Sequence, residues 1–333
     1  MGVENYIFRS HFPFMEIGDF RFEIVPDAEF WLDGGAMFGV VPRVLWERVC
    51  PPDDRNRIRL NMNCAFIETR DERILIDTGI GEKWTDKETA IYGIDRVQPL
   101  AETLRDVTGY GPEDITIVVN THLHFDHAGG NTDLNQQSAI GSQFPNARYF
   151  VSARELEHAE SPNERERASY RPDDWHPLKE AARLVLKPDT YEVVPGLRMQ
   201  TIPGHSKTMQ TWRLDAGGST IYGFADLIPT RHHLPLPWIM GYDLLPSDTL
   251  EFKKAIIPEA VSGRWMCLFY HDLDAPLCRL IESLRARMSG AGLIDRRIEI
   301  VKAEVDLETP ALGGAALPLF YGLAPSAAFV ERP

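Results

Sequence analysis

The chain has 333 residues and a formal net charge of −14. Its hydrophobic fraction of 44% is enough to build a core, so intrinsic disorder is not expected. The excess of acidic residues disfavours general nucleic-acid binding, because phosphate backbones repel a negative surface. No nucleic-acid partner is therefore expected, and a homodimer is left open.

None of the four cysteines forms a C-x-x-C pair, so free thiols are expected rather than a disulfide framework. Residues 1–14 lack the continuous apolar run of a signal peptide. No stretch has the roughly 18 to 20 apolar residues that span a bilayer. These features predict a cytoplasmic protein with no membrane segment.

Strands and helices are predicted to alternate along the chain. Alternating or β-branched residues predict strands at 20–25, 64–68, 73–76, 115–119, 148–151, 190–194, 197–202, 210–214, 220–224 and 265–270. Helical spacing predicts helices at 97–107, 250–260 and 276–288. A further helix is predicted to begin at Ala153 with Ser152 as its cap. The glycine-rich segment 33–41 is interpreted as a loop.

We interpret residues 1–300 as a single catalytic domain with an N-terminal extension. A charged segment near 157–180 contains several prolines and is interpreted as a surface insertion that could act as a lid. Residues 301–333 form a C-terminal tail rich in Ala, Gly, Leu and Pro, whose role the sequence leaves open.

Side chains that commonly bind metals follow four of the predicted strands. They are His122, His124, Asp126 and His127 after strand 115–119, His205 after 197–202, Asp226 after 220–224 and His271 after 265–270. Side chains at such strand ends converge at one edge of an α/β sheet. Seven donors exceed what one tetrahedral ion needs, so two divalent ions are expected. Mixed imidazole and carboxylate donors favour zinc, with iron or manganese as alternatives.

The spacing within the first cluster supports this interpretation. His122 and His124 are two residues apart and point to one side of an extended backbone. A turn after Phe125 would direct Asp126 and His127 to a second ion, and the glycines at 129–130 would supply the backbone freedom for it. The remaining histidines are expected to be structural, and they are His11, His158, His176, His232 and His233.

The run His122-x-His124-x-Asp126-His127, followed by two glycines, resembles the signature of the metallo-β-lactamase superfamily. Segments 74–79, 203–206, 224–226 and 270–271 resemble its other motifs in the expected order. The resemblance implies an α/β fold, a four-layer αββα sandwich with the metals at one edge. One departure is Ala225, because the family usually has a glycine directly before the aspartate that corresponds to Asp226. A methyl group should be tolerated at this position.

The resemblance also implies which residues bind each ion. His122, His124 and His205 would hold the first ion, Asp126, His127 and His271 the second, and Asp226 would bridge both. We expect a hydroxide held between the ions to attack the substrate, with Asp126 relaying a proton to the leaving group. Asp77, which follows strand 73–76, is expected to support a ligand rather than to bind metal.

Within this superfamily, the chain resembles the lactonase and organophosphate-hydrolase-like branch, which implies a small-molecule substrate, a lactone or related carboxylic ester that is cleaved. Phosphoester, phosphotriester or thioester hydrolysis and a di-iron oxidoreductase are the alternatives. Residues 227–229 lack the tyrosine that some lactonases place after the bridging aspartate, which argues against an acyl-homoserine lactonase specifically. An apolar substrate pocket is predicted to be walled by Phe38, Trp46, Trp238 and Tyr242.

Overall fold

The computed structural model describes residues 14–134, 139–282 and 298–302. The chain divides into two compact units. The first contains the described residues up to Trp31, Leu60–Tyr191 and Ala216–Gly218, and the second contains Leu32–Arg59, Glu192–Asp215 and the described residues from Ser219 onward. Across the described ranges, every helix is too short or too polar to span a membrane.

Strands and helices alternate through most of the described chain. The strands are β1 (Met15–Ile17), β2 (Phe20–Asp33), β3 (Arg57–Glu68), β4 (Arg73–Ile76), β5 (Ile117–Val119), β6 (Thr132–Leu134), β7 (Ile140–Ser142), β8 (Arg148–Ser152), β9 (Leu184–Lys187), β10 (Thr190–Val194), β11 (Leu197–Thr201), β12 (Gln210–Ala216), β13 (Ser219–Gly223), β14 (Met266–Leu268), β15 (Leu277–Glu282) and β16 (Ile298–Lys302). The helices are α1 (Gly34–Phe38), α2 (Arg43–Trp46), α3 (Asp86–Tyr92), α4 (Leu100–Thr108), α5 (Phe125–Ala128), α6 (Ala153–Glu160), α7 (His176–Glu180) and α8 (Pro246–Ser262).

Most of the first sheet belongs to the first unit, and its strand order is β1-β2-β3-β4-β5-β8-β9. Strands β4, β5 and β8 run parallel, with Ile76 opposite Val119 and Val119 opposite Phe150. Parallel strands end at the same edge of a sheet, so Asp77 and the segment after Val119 emerge side by side. Phe66, Leu75 and Val118 pack with Leu104 of α4 in one buried core.

The second sheet has the order β10-β11-β12-β13-β14-β15-β16. Strands β13 and β14 are parallel, with Gly223 opposite Leu268. The segments that carry Asp226 and His271 therefore leave the same edge of this sheet. Ile257 of α8 packs with Phe224 and Phe269 in the core of the second unit.

Most of the predicted elements are confirmed. Strands 64–68 and 73–76 form an antiparallel pair, as predicted. The four strands predicted between 190 and 224 correspond to β10 to β13, and the helix predicted at 250–260 lies within α8. Helix α6 begins at Ala153 as expected, but the Ser152 side chain makes no capping hydrogen bond. The cysteines are free thiols, as predicted.

Two predicted elements are wrong. Segment 33–41 is not all loop, because Asp33 accepts a hydrogen bond from the Ala36 N–H and so caps α1. The helix predicted at 276–288 begins instead as β15, which pairs with β14 and β16. Cross-strand pairing overrides the helical spacing there. Residues 283–288 and the tail beyond 302 lie outside the described residues.

The charged segment 157–180 is only partly a surface insertion. Trp175 and Leu178 are about 1% exposed and pack in the interior of the first unit. The Asp174 side chain is also buried and forms an ion pair with Lys83 Nζ at 3.0 Å. A segment that buries large apolar side chains and an ion pair is integral to its unit.

Candidate metal centre

The first unit contributes four of the seven predicted ligands from one short segment. His122 and His127 are fully buried, and His124 and Asp126 are 6% exposed. The imidazole centroid of His122 lies 4.5 Å from that of His124 and 4.1 Å from that of His127. The structure thus brings the three imidazoles of this segment close together.

Asp77 organises this segment from the end of β4. Its Oδ1 accepts the Thr121 N–H at 2.7 Å, and its Oδ2 accepts the Thr121 hydroxyl at 2.8 Å and contacts His127 Nδ1 at 2.9 Å. Burial raises the pKa of the Asp77 carboxyl, and the nearby His127 opposes that shift. Asp77 has a φ of 59°, a left-handed conformation that aspartate tolerates better than most residues. Asp77 therefore contacts His127 and Thr121 directly, and its supporting role for a bound metal stays a prediction.

These contacts determine which ring nitrogens are available to a metal. A hydroxyl has one proton, and Thr121 donates it to the acceptor-only carboxylate of Asp77. Thr121 Oγ1 therefore accepts from Nδ1 of His122, 3.1 Å away. His127 likewise donates from Nδ1 to Asp77. A neutral imidazole has one N–H, so Nε2 of both rings carries the lone pair that a metal requires.

A second buried carboxylate fixes the backbone between the first two histidines. Glu155 Oε1 accepts the Leu123 N–H at 2.8 Å and the Tyr170 hydroxyl at 3.2 Å. The Tyr170 ring packs edge-on against His124, with 4.7 Å between centroids. The sequence analysis did not identify Glu155, because its charge made it indistinguishable from the solvent-facing residues of its helix.

The two glycines after the cluster are required for close approach rather than for unusual backbone angles. Gly129 and Gly130 do not have positive φ. A Cβ on Gly129 would lie 2.2 Å from the Ile80 carbonyl oxygen, and one on Gly130 would lie 2.2 Å from that of Thr78. The predicted reason, backbone freedom for a turn, is therefore corrected to close packing against residues 78–81.

The second unit contributes the other three predicted ligands, and Asp226 lies between two histidines. Its Oδ1 is 3.0 Å from Nε2 of His271, and its Oδ2 is 3.4 Å from Nε2 of His205. All three side chains are at most 5% exposed. Asp226 thus presents a different carboxylate oxygen to each of two imidazoles.

Ala225 departs from the family pattern in a way that has a conformational cost. Its φ is 47°, in the left-handed region where glycine is favoured. An L-residue there costs about 1–2 kcal/mol. Ala225 is accommodated in the buried core, as expected for a tolerated methyl group. The backbone is nevertheless strained directly beside Asp226.

One residue that contacts His205 was not predicted from the sequence. Asp243 Oδ1 lies 3.2 Å from His205 Nδ1, and both side chains are buried. Asp243 is 38 positions from His205 and belongs to no motif, so no local signal identifies it.

Among the described residues, each unit contributes buried side chains that could hold a metal ion. They are His122, His124, Asp126 and His127 in the first unit and His205, Asp226 and His271 in the second. Buried imidazoles and carboxylates suit zinc, iron or manganese. The carboxylates of Asp77 and Asp243, which contact Nδ1 of His127 and His205, resemble the outer-shell partners typical of metal-bound histidines. The donor set therefore fits divalent metal ions.

The four residues predicted to wall a substrate pocket lie in the second unit. Phe38, Trp46 and Trp238 are at most 5% exposed, and both tryptophan rings pack on that of Phe38. Tyr242 is 39% exposed. Their role in binding substrate stays a prediction, and for the three buried rings the contacts are those of a packed aromatic cluster.

A cavity of 320 Å³ lies in the first unit and was not predicted. Its apolar lining includes Trp84, Tyr92 and Phe125, whose rings contact one another with centroids 5.1–5.3 Å apart. Phe125 lies between His124 and Asp126 in sequence, and Tyr170, which packs on His124, also lines the cavity. Burial and the charge of Asp126 raise the pKa of Tyr92. The cavity therefore lies beside the cluster of predicted ligands in this unit.

The other histidines within the described residues make structural contacts. His233 is fully buried and stacks on Phe38 with 4.6 Å between centroids. His158 Nε2 lies 2.6 Å from Glu166 Oε1. His176 is exposed, and His232 is partly buried. His11 lies outside the described residues.

A mixed α/β fold with buried histidine and aspartate side chains that could hold metal ions is typical of metal-dependent enzymes. The family model described as "Metallo-beta-lactamase superfamily" matches residues 58–257, more than half of the chain. The chain belongs to the metallo-β-lactamase superfamily, which confirms the predicted family and fold class.

Similar proteins include several lactonases. The chain is 32% identical to an N-acyl homoserine lactonase of Bacillus cereus over 66% of this chain and 84% of that protein. A probable metal-dependent hydrolase from Staphylococcus aureus is 31% identical, with a TM-score of 0.74 over 80% of this chain and 94% of the other. The dizinc quorum-quenching lactonase AidC shares the fold, with a TM-score of 0.67 at 19% identity over 82% of this chain and 94% of AidC.

Proposed function

We propose that this metallo-hydrolase opens lactones or cleaves related carboxylic esters with two zinc ions. The observation that carries the proposal is the placement of Asp226, which presents one carboxylate oxygen to His205 and the other to His271. A carboxylate shared in this way suits a pair of ions better than one. The 32% identity to a Bacillus cereus lactonase, together with a cavity beside the ligand cluster that has one aromatic wall, supports a lactone as the substrate.

In this proposal His122, His124 and His205 hold the first ion. Asp126, His127 and His271 hold the second, and Asp226 bridges both. In this division each unit would supply ligands to both ions. Zinc is proposed because it accepts imidazole and carboxylate together in four- or five-coordinate sites that leave room for water.

When bound, two such cations lower the pKa of water and polarise a carbonyl oxygen. In hydrolysis, a water oxygen forms a bond to the acyl carbon, the bond from that carbon to the ring oxygen breaks, and the leaving oxygen takes up a proton. Asp126 is assigned to move that proton, because its carboxylate is 6% exposed and lies in the ligand cluster. Asp77 and Thr121 keep the His122 and His127 rings oriented throughout.

The non-reacting part of the substrate is assigned to the 320 Å³ cavity of the first unit. Trp84, Tyr92 and Phe125 supply an apolar lining that favours an acyl or other hydrophobic group. Arg171 and Glu88 also line the cavity, with 3.2 Å between their charged groups, so its edge is polar. Substrates with an apolar tail should therefore be preferred over small polar lactones.

The test is a substrate panel assayed with zinc-loaded protein. The panel contains γ-lactones with short and long acyl tails, aryl esters, thioesters, phosphotriesters and phosphodiesters. Lactones with long tails should give the highest kcat/KM. Rapid phosphodiester cleavage with inert lactones would overturn the proposal. Protein purified without added metal that contains two irons and a visible absorption band would favour an oxidoreductase instead.

A pair of variants connects the measured activity to the site. Asp126→Ala should remove most of the activity, because a ligand of the second ion and the proton relay are both lost. Asp71→Asn removes one exposed carboxylate elsewhere in the first unit and should leave the activity unchanged. Equal rates for the two variants would show that Asp126 plays no part in the reaction.

A further inference from the structure

The loop that carries His205 is attached to the segment before α8 by its main chain. The Leu245 N–H donates to the Gly204 carbonyl at 2.8 Å, and the Leu244 N–H donates to the His205 carbonyl at 3.0 Å. A Cβ on Gly204 would lie 2.5 Å from Thr249 Oγ1, so the two segments are packed as closely as glycine permits. Asp243 is thereby held at a fixed position relative to the His205 ring.

The Asp243 carboxylate is fully used in this position. Oδ1 contacts His205 Nδ1 at 3.2 Å, and Oδ2 accepts the Thr249 hydroxyl at 2.7 Å. Asp243 is 3% exposed and Thr249 is fully buried, so water does not compete strongly for either bond. Burial lowers the pKa of the neighbouring Lys253 to about 7, and the negative charge of Asp243 opposes that shift.

We propose that Asp243, held by Thr249, is a positioning residue that fixes the His205 ring for metal binding. A neutral imidazole has one N–H, and His205 donates it from Nδ1 to Asp243. Nε2 then carries the lone pair, and it is this nitrogen that lies on the side of Asp226, 3.4 Å from Oδ2. The carboxylate also makes the ring a stronger donor to a cation.

The second unit thus has its own counterpart of the Asp77–His127 pair in the first unit. In each pair a buried aspartate contacts Nδ1 of a predicted ligand and accepts a threonine hydroxyl, from Thr121 or from Thr249. The two aspartates come from unrelated parts of the sequence. The shared arrangement indicates that each unit orients one of its ligands independently.

The test measures zinc affinity directly, by competition with a chromophoric chelator. In Asp243→Asn, one of two zinc equivalents should bind about 10–100-fold more weakly while the other is unchanged. Asp248→Asn is the matched control, because it removes an exposed carboxylate from the first turn of α8. Two equivalents bound by Asp243→Asn with wild-type affinity would overturn the proposal.

Milder variants keep the test decisive if Asp243→Asn does not fold. Thr249→Val removes the hydroxyl that holds Oδ2 and should weaken the same zinc equivalent, whereas Thr249→Ser keeps the hydroxyl and should restore it. Unchanged affinity in folded Thr249→Val would then count against the proposal. In cobalt-loaded protein, the exchangeable Nδ1–H resonance of His205 should exchange faster with water in Thr249→Val and at the wild-type rate in Thr249→Ser.

This inference rests on the proposed metal centre, but the two can fail separately. If the wild-type chain does not bind two zinc ions, the proposed function fails. If the wild type binds two and the Asp243 and Thr249 variants bind both equally well, only the positioning role fails.

Discussion

Asp226 places Oδ1 3.0 Å from Nε2 of His271, and both side chains are buried in the second unit. The two residues follow parallel strands β13 and β14, whose pairing brings their ends together. Strand pairing, rather than proximity in sequence, therefore builds this part of the site from residues 45 positions apart.

We expect Asp226→Asn to reduce bound zinc from two equivalents to one or fewer. The amide keeps the shape of the side chain but loses the charge that two cations share. Activity should fall by more than the roughly 10–100-fold that is typical for an outer-shell partner. Metal analysis and kcat/KM check this, with Asp215→Asn, an exposed aspartate of β12, as the control. Two tightly bound ions in the variant would contradict the bridging role.

Asp77→Asn should weaken zinc binding by about 10–100-fold, because the contact with His127 Nδ1 and the orientation of Thr121 are both disturbed. Asparagine tolerates the left-handed conformation at position 77, so this variant isolates the side chain. Asp77→Ala should be less stable than Asp77→Asn, since it adds backbone strain of about 1–2 kcal/mol. Urea unfolding and chelator competition separate the two effects. Equal free energies of unfolding for Asp77→Ala and Asp77→Asn would show that the backbone at position 77 is not strained.

Gly130→Ala should destabilise the protein by about 1–3 kcal/mol, because the new methyl group would overlap the Thr78 carbonyl. Gly141→Ala is the matched control, since a Cβ there meets nothing within 4 Å. Its free energy of unfolding should change by less than that of Gly130→Ala. Similar unfolding midpoints for the two variants would contradict the close-packing explanation of the glycine pair.

The sequence was sufficient for the parts of the site that lie in one motif or at the end of a strongly patterned strand. The cluster from His122 to His127 and the positions of His205, Asp226 and His271 follow from those two signals. Asp243 and Glu155 carry no such signal, because each acts on a ligand segment that only the tertiary fold brings near.

The two elements that were predicted wrongly, and the cavity that was not predicted, also depend on contacts that form only in the folded chain. Segment 276–288 has apolar residues that fit either a helix or a strand, and pairing of Cys278 with Cys267 and with Lys302 decides for a strand. In segment 33–41 the cap at Asp33 stabilises a helix of five residues that glycine content alone would not suggest. The first-unit cavity was missed because Trp84 and Tyr92 meet Phe125 only after folding.

His233 should make stability depend on pH in the acid range. Burial lowers the pKa of His233 to about 3, whereas the unfolded chain has a value near 6.5. Between these values the unfolded state binds more protons, so stability is full above about pH 6.5 and falls as the pH decreases. The loss from this group should be about 2 kcal/mol at pH 5.

Urea unfolding at pH 7 and pH 5 checks this prediction in wild type and in His233→Gln. The loss on acidification should be smaller in His233→Gln, whatever the stability of that variant at pH 7. His176→Gln alters an exposed histidine and should keep the wild-type pH dependence. The same pH dependence in all three proteins would contradict a neutral, buried His233.

The most direct test of a dinuclear lactone-cleaving centre is a zinc titration of the metal-free protein, monitored by proton release from a long-tailed γ-lactone. The account predicts that hydrolysis appears on zinc addition and reaches its plateau at two equivalents per chain. A plateau at one equivalent, or full hydrolysis without any metal, would contradict it.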